Sequence, residues 1–355
     1  MEELIPLPAS RRTIRDYVVR HPMIAFVILA YAISWIAWTL SNSVDLGAVD
    51  GFGILGSIGP ALAAIIVSAL ARPEPSEVPA RKRWWLFGIV GILALAVMMV
   101  RRLWITPHWL TVAGGVTTSV AFPSPAAFFM DVLAAAVVAF VLSGVHSPRQ
   151  GVRDLLRSLD PRGQQVRWYW WAIALGLYPA VMALGNAVSA GLGLEELAPK
   201  PTGLWYWLAL DVLLTFLYFL IGGGGLEEPG WRGFVLPLLQ KRSSPLRASL
   251  ILAVIWGFWH LPFFWSGDVL SGLLNVVIYL VLEVAPLAIL FTALFNRTRG
   301  SLPIVILMHA SVNIAPVFLP VSTVASGLWT LLMVGLALWM WRAPQTFSSR
   351  QVENG

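Results

Sequence analysis

The stretch IGGGGLEEPGWRGFVLPLLQ, residues 221 to 240, sets Glu227, Glu228 and Arg232 inside an apolar run. An ionisable side chain at membrane depth costs roughly 2.5–3.5 kcal/mol on insertion scales, so each one needs a function or a partner. Two histidines also lie in apolar runs: His260 in WGFWH and His309 in HASVN, where Asn313 follows four residues later. A carboxylate and an imidazole can share a water and deprotonate it as it attacks a carbonyl. A second imidazole and an asparagine amide are donors suited to the oxyanion that then forms. No nucleophilic side chain is needed, and the chain has no cysteine to offer one. The set points to a water-attack peptidase or amidase. Glu228 and Arg232, one helical turn apart, can pair and steady the helix that carries Glu227, although an arginine can also hold a substrate carboxylate.

These residues need a scaffold, and composition supplies its class. The 355 residues are 58% hydrophobic and 12% charged, about half the charged fraction of a soluble domain. The eighteen tryptophans suit membrane interfaces. Apolar runs predict ten spans at 22–41, 51–71, 84–100, 126–145, 168–190, 203–240, 246–266, 269–295, 302–321 and 323–342. The sixth is too long for one crossing. The expected fold is an all-α polytopic membrane protein of about ten transmembrane helices, with a catalytic helical core in the C-terminal half. Residues 1–200 read as N-terminal helices and connectors, 201–321 as the core, and 322–355 as a last helix and tail. The first span reads as a retained anchor, being long and lacking a clear cleavage site. The Gly/Thr/Ser-containing stretch Thr111–Pro125 reads as a linker.

The net charge of +6 follows loops rather than one basic face, which excludes a nucleic-acid partner. With alternating spans, twenty of the twenty-four Lys and Arg residues fall on one side. Arg101, Arg102 and Lys200 fall on the other, with Arg232 embedded. Both termini are therefore expected in the cytoplasm, in a bacterial cytoplasmic membrane. Glu227 lies 14 residues before Lys241, and His260 lies 13 after Arg247, so each sits about 20 Å from that basic turn. His309 and Asn313 lie about 12 and 18 Å from the next turn on the same side. Three segments thus bring Glu227, His260, His309 and Asn313 to a common layer.

Glu283 falls near that layer too, as a supporting, packing or separate-pathway group. Asp131, Asp211 and Asn186 read as structural, and His21, His108 and His146 as interfacial.

At these motifs the chain resembles the CAAX prenyl endopeptidase family, the CPBP or Abi intramembrane proteases. The E-E-x-x-x-R motif stands as EEPGWR (Glu227, Glu228, Arg232) and H-x-x-x-N as HASVN (His309, Asn313). F-x-x-x-H stands as WGFWH, with Trp256 replacing the phenylalanine before His260. That aromatic swap is expected to affect pocket shape more than chemistry. Weaker echoes are GPALAA (Gly59 to Ala64) and RDLLRSLDPRGQQVRWYW (Arg153 to Trp170). The resemblance implies that Glu227 and His260 activate water while His309 and Asn313 stabilise the oxyanion. It also implies a membrane-embedded or lipidated peptide substrate in the lipid bilayer, and no required cofactor.

Older descriptions of the family as metalloproteases keep Zn open, with Glu227, His260 and His309 as ligands. A secondary transporter with Glu283 and Asp211 as proton relay is a competing class, because Gly/Pro-broken helices suit such sites. A non-catalytic membrane scaffold that keeps the fold is a third.

Overall fold

A computed structural model describes residues 13–43, 51–100, 102–103, 124–197, 205–264 and 268–347. His108, Arg101, Lys200 and most of the 111–125 linker lie outside them. Among the described residues the regular secondary structure is helical, apart from an isolated bridge between Pro75 and Arg149. In order come α1 (Ile14–Arg20), α2 (Pro22–Ser43), α3 (Gly51–Ala71), α4 (Ala80–Val100) and α5 (Pro125–Ser143). Then follow α6 (Gln150–Leu156), α7 (Trp168–Gly191), α8 (Trp205–Ile221), α9 (Leu236–Gln240) and α10 (Pro245–Trp259). The chain closes with α11 (Val269–Tyr279), α12 (Ala285–Arg297), α13 (Leu302–Phe318) and α14 (Thr323–Arg342). Among the described residues, eight helical stretches are long and apolar enough to cross a membrane, and Pro245–Trp259 and Leu302–Phe318 are shorter apolar helices. The protein is an integral membrane protein of all-α class.

Helix starts are written in the sequence. Ser124, Ser244, Asp268 and Ser322 each accept from the backbone N–H three residues on, satisfying donors that have no partner inside the helix. Pro125 and Pro245 occupy the first helical positions, where the missing N–H costs nothing.

Two longer runs break, and each break has a local cause. The 203–240 run ends as α8 at Ile221, turns through Gly222–Gly224, and resumes as a 3₁₀ turn (Gly225–Glu227). Gly224 has φ +115°, a conformation that disfavours any side chain. The helix then widens into a π segment at Trp231–Val235, just ahead of Pro237. The other π segment, Leu280–Val284, likewise precedes Pro286. A proline lacks the N–H its helix ladder needs, and the widened turn is one way the ladder adjusts.

The break sits against α3. A side chain at Gly230 would run into the Pro60 backbone, so glycine lets the Glu227 segment approach α3 at the GPALAA stretch. Helix α10 ends inside the bundle at His260, where freed carbonyls need donors. Trp35 Nε1 donates to Trp259 O at 2.9 Å, and Tyr31 Oη donates to Ile255 O. Helix α2 thus tethers the end that carries His260.

Candidate active site

Glu227 is buried, and its Oε2 accepts two indole N–H groups, from Trp256 at 2.8 Å and Trp231 at 3.2 Å. Its other oxygen takes neither bond. Glu228 is fully buried and carries a different load. Both its oxygens accept from Arg232 Nη1, at 2.9 and 3.0 Å, and Oε1 also lies 2.7 Å from His309 Nδ1. The expected Glu228–Arg232 pair is present, and it reaches α13 as well. The Arg232 guanidinium carbon lies 4.4 Å from the Trp256 ring centre and 4.7 Å from that of Phe291. Stacking on two aromatic faces offsets part of the cost of a cation with no access to water.

His260 Nδ1 lies 2.8 Å from Trp256 O. A carbonyl only accepts, which assigns the proton to Nδ1 and a lone pair to Nε2. The Trp256 carbonyl is available because the His260 N–H bonds instead to Gly257 O as the helix tightens and ends. His309 packs with its ring centre 5.5 Å from Trp256 and 5.2 Å from Phe291. Trp256 therefore touches every part of the cluster: it donates to Glu227, covers Arg232, packs on His309 and binds His260 through its carbonyl.

The glycine turn meets the last two residues. A β-carbon built on Gly224 would lie 2.6 Å from His309 Nε2 and 2.7 Å from Asn313 Nδ2. Both nitrogens therefore flank one point beside the Gly224 α-carbon, and only glycine leaves that point open. Asn313 is set by donating through Nδ2 to Gly223 O at 2.6 Å.

With this geometry in hand, the comparisons with known proteins bear directly on the cluster. Residues 209–315 match the family model described as type II CAAX prenyl endopeptidase Rce1-like. That segment is similar to this family. Over 103 residues the chain is 29% identical to a protein named CAAX prenyl protease 2 from Methanococcus maripaludis. That match covers 28% of this chain and 38% of the archaeal protein, so it spans well under half of that relative.

Glu227, Glu228, Arg232, Trp256, His260, His309 and Asn313 all fall inside the Rce1-like segment, and the cluster gathers them. It does not gather Glu283, whose side chain is exposed on the second π segment. Asp131 pairs instead with Arg102 at 2.7 Å, one end of a buried ion pair between the N-terminal spans. Asn186 bridges Pro320 O and the Ser322 N–H, holding the α13–α14 connection. Asp211 is buried on α8. His21 is exposed and His146 half-buried, both at helix ends as expected.

Sequence reasoning overlooked Trp231 and Phe291, and it took Trp256 as a supporting residue that affects pocket shape more than chemistry. Trp231 was findable, since it follows Glu227 by four residues and so shares its helix face. Phe291 carried no signal, being one apolar residue in an apolar helix.

A zinc ion would need Glu227, His260 and His309 together. Each keeps one uncommitted atom, yet among the described residues no three His, Cys, Asp or Glu side chains stand close enough to share an ion. Both indole donors also occupy Glu227, while the two histidines are oriented by Glu228 and the Trp256 carbonyl. As arranged, the residues do not fit a metal site.

Proposed function

We propose that this protein is an intramembrane endopeptidase that hydrolyses a peptide bond with water activated by Glu227 and His260. The observation that carries the reading is the convergence of His309 Nε2 and Asn313 Nδ2 on the open point at Gly224. Two such nitrogens flanking a cleared space are what a developing oxyanion requires. The substrate carbonyl oxygen lies within hydrogen-bond reach of both nitrogens, and a water lies on the side of Glu227 and His260. The unbonded Glu227 oxygen or His260 Nε2 removes a water proton as the new O–C bond forms. The C–N bond then breaks and the same proton passes to the leaving amine, so no group is consumed.

His309 donates through Nε2 while Nδ1 donates to Glu228, which requires the ring to be doubly protonated in the attacking complex. The carboxylate of Glu228 compensates that charge. Arg232 is a second cation on the same carboxylate, so the three groups carry a net positive charge that favours the oxyanion as it forms. With the basic turns in the cytoplasm, the active layer opens toward that side of a bacterial cytoplasmic membrane. The name of the archaeal relative supports a lipidated C-terminal peptide as the substrate class, with other membrane-embedded peptides as the wider set.

The test uses purified full chain in proteoliposomes with a quenched membrane peptide bearing a lipidated cysteine near its C-terminus. Cleavage that persists in chelator, with fragments identified by mass spectrometry, supports the reading. Cleavage abolished by chelator and restored by zinc would instead assign the chemistry to a metal.

A further inference from the structure

The stretch Arg153–Trp170, a weaker echo of the family in the sequence, takes no part in the catalytic cluster. It forms one wall of a cavity of about 980 Å³ between α4, α5, α6, α7, α8 and α13. The rim and floor differ sharply. Arg153, Arg157 and Arg162 stand on the rim, while Leu86, Leu220 and Ile306 line the floor.

The rim cations are not consumed by their neighbours. Asp154 is taken by Arg72 and by Gln150 Nε2 at 2.8 Å. Asp160 reaches only Arg162, at 3.9 Å between exposed groups. The Arg153 and Arg157 side chains have no hydrogen-bond or ion-pair partner among the described residues. Arg153 is nonetheless half-buried, held there because Val152, Leu155 and Leu156 bury the other face of α6. Gly151 seats that helix closely, with its N–H donating to Arg72 O at 3.1 Å. Arg153 is therefore positioned by its helix, with Arg157 exposed beside it.

The height of the cavity decides between ligands. Trp168, 78% exposed, meets Tyr169 edge to face and Tyr169 leans on Trp170 at the start of α7, aromatic residues of the kind found at headgroup level. Leu86 lies on α4, whose other residues Trp85, Ile89 and Ile92 face outward. The apolar floor therefore continues into the lipid-facing surface, while the unpaired arginines lie level with headgroups. Basic pockets between transmembrane helices on the positively charged side take anionic headgroups.

We infer that this cavity binds an anionic phospholipid, its phosphate at Arg153 and Arg157 and its acyl chains over Leu86, Leu220 and Ile306. The site is separate from Glu227 and its partners, so it stands or falls independently of the peptidase reading. It is also mechanically close: Leu155 packs near Gly233 of the glutamate helix, and Ile306 lies one turn before His309.

The experiment is native mass spectrometry of full-length protein released from nanodiscs of phosphatidylcholine with graded phosphatidylglycerol. Wild type retains phosphatidylglycerol preferentially, and Arg153→Gln/Arg157→Gln loses that preference by about tenfold. Arg153→Lys/Arg157→Lys keeps most of it, as does Arg342→Gln at a basic position away from the cavity. Equal retention by wild type and the glutamine variant overturns the proposal. So does displacement by millimolar inorganic phosphate alone, which marks a phosphate site. A third contrary result is intact lipid preference in the glutamine variant with lost discrimination between a peptide acid and its C-terminal amide. That would assign the arginines to a peptide carboxylate. Should the glutamine variant fail to assemble, the lysine variant and phosphatidylglycerol-dependent thermal stabilisation of wild type carry the same decision.

Discussion

Trp256 Nε1 donates to Glu227 Oε2 at 2.8 Å, joining α10 to the glutamate turn inside the bundle. A phenylalanine at this position, as in the F-x-x-x-H motif, fills much the same space but cannot make that bond. The swap thus adds a donor that orients the proposed base.

Replacing Trp256 by Phe keeps a ring over Arg232 and against His309 while deleting one hydrogen bond to a buried carboxylate. Such bonds contribute roughly 1.5–3 kcal/mol to stability, so unfolding free energy is expected to fall by about that much and kcat/KM by about ten- to hundredfold. Unchanged kinetics in Trp256→Phe would remove the indole from the account.

Gly224→Ala places a methyl group at the point flanked by His309 Nε2 and Asn313 Nδ2, in a backbone conformation of φ +115°. Activity is expected to drop by at least the roughly hundredfold seen when an oxyanion donor is lost. Gly176→Ala on α7 is the matched control, because a β-carbon there meets nothing within 4 Å and φ is helical. It should cleave normally, with stability unchanged or slightly raised. Equal behaviour of the two variants would show that the space at Gly224 has no special role.

Arg232→Met leaves Glu228 buried without its cation, a loss of about 3–5 kcal/mol in comparable buried pairs. The double variant Glu228→Gln/Arg232→Met removes both charges and should recover much of that stability without recovering cleavage, because His309 then lacks its carboxylate. Reversible unfolding in mixed micelles gives the two differences. A double variant no more stable than Arg232→Met would contradict a compensated pair.

Outside the spans, Glu195 accepts from the Thr323 hydroxyl and N–H at the start of α14, and these bonds hold its carboxyl below the usual range. A carboxyl depressed in the folded state stabilises above its unfolded pKa, and that contribution fades as pH falls through the folded value. Melting temperatures from pH 7 down to pH 3 should therefore decline more steeply for wild type than for Glu195→Gln. Parallel curves would mean the contact does not couple to folding.

Much of the scaffold was legible because lipid demands long apolar runs. The predicted spans 51–71 and 323–342 coincide with α3 and α14, and 203–240 breaks where the four glycines stand. Counting depth from basic turns placed Glu227, His260, His309 and Asn313 in one layer, and the fold brings the three segments together there. Glu283 shows the limit of that method. Depth fixes height along a helix but not rotation around it, and the π segment turns this side chain outward. The same limit hid Trp256, whose indole direction depends on helix packing that spacing alone does not encode.

The most direct measurement is the rate of membrane-peptide cleavage by wild type, Glu227→Gln and His260→Ala in metal-free proteoliposomes. Wild type should cleave, and each variant should lose at least the roughly hundredfold that a general base contributes, while remaining folded by circular dichroism. Full activity in Glu227→Gln, or no cleavage by wild type alongside substrate uptake into the vesicles, would contradict a glutamate-activated water.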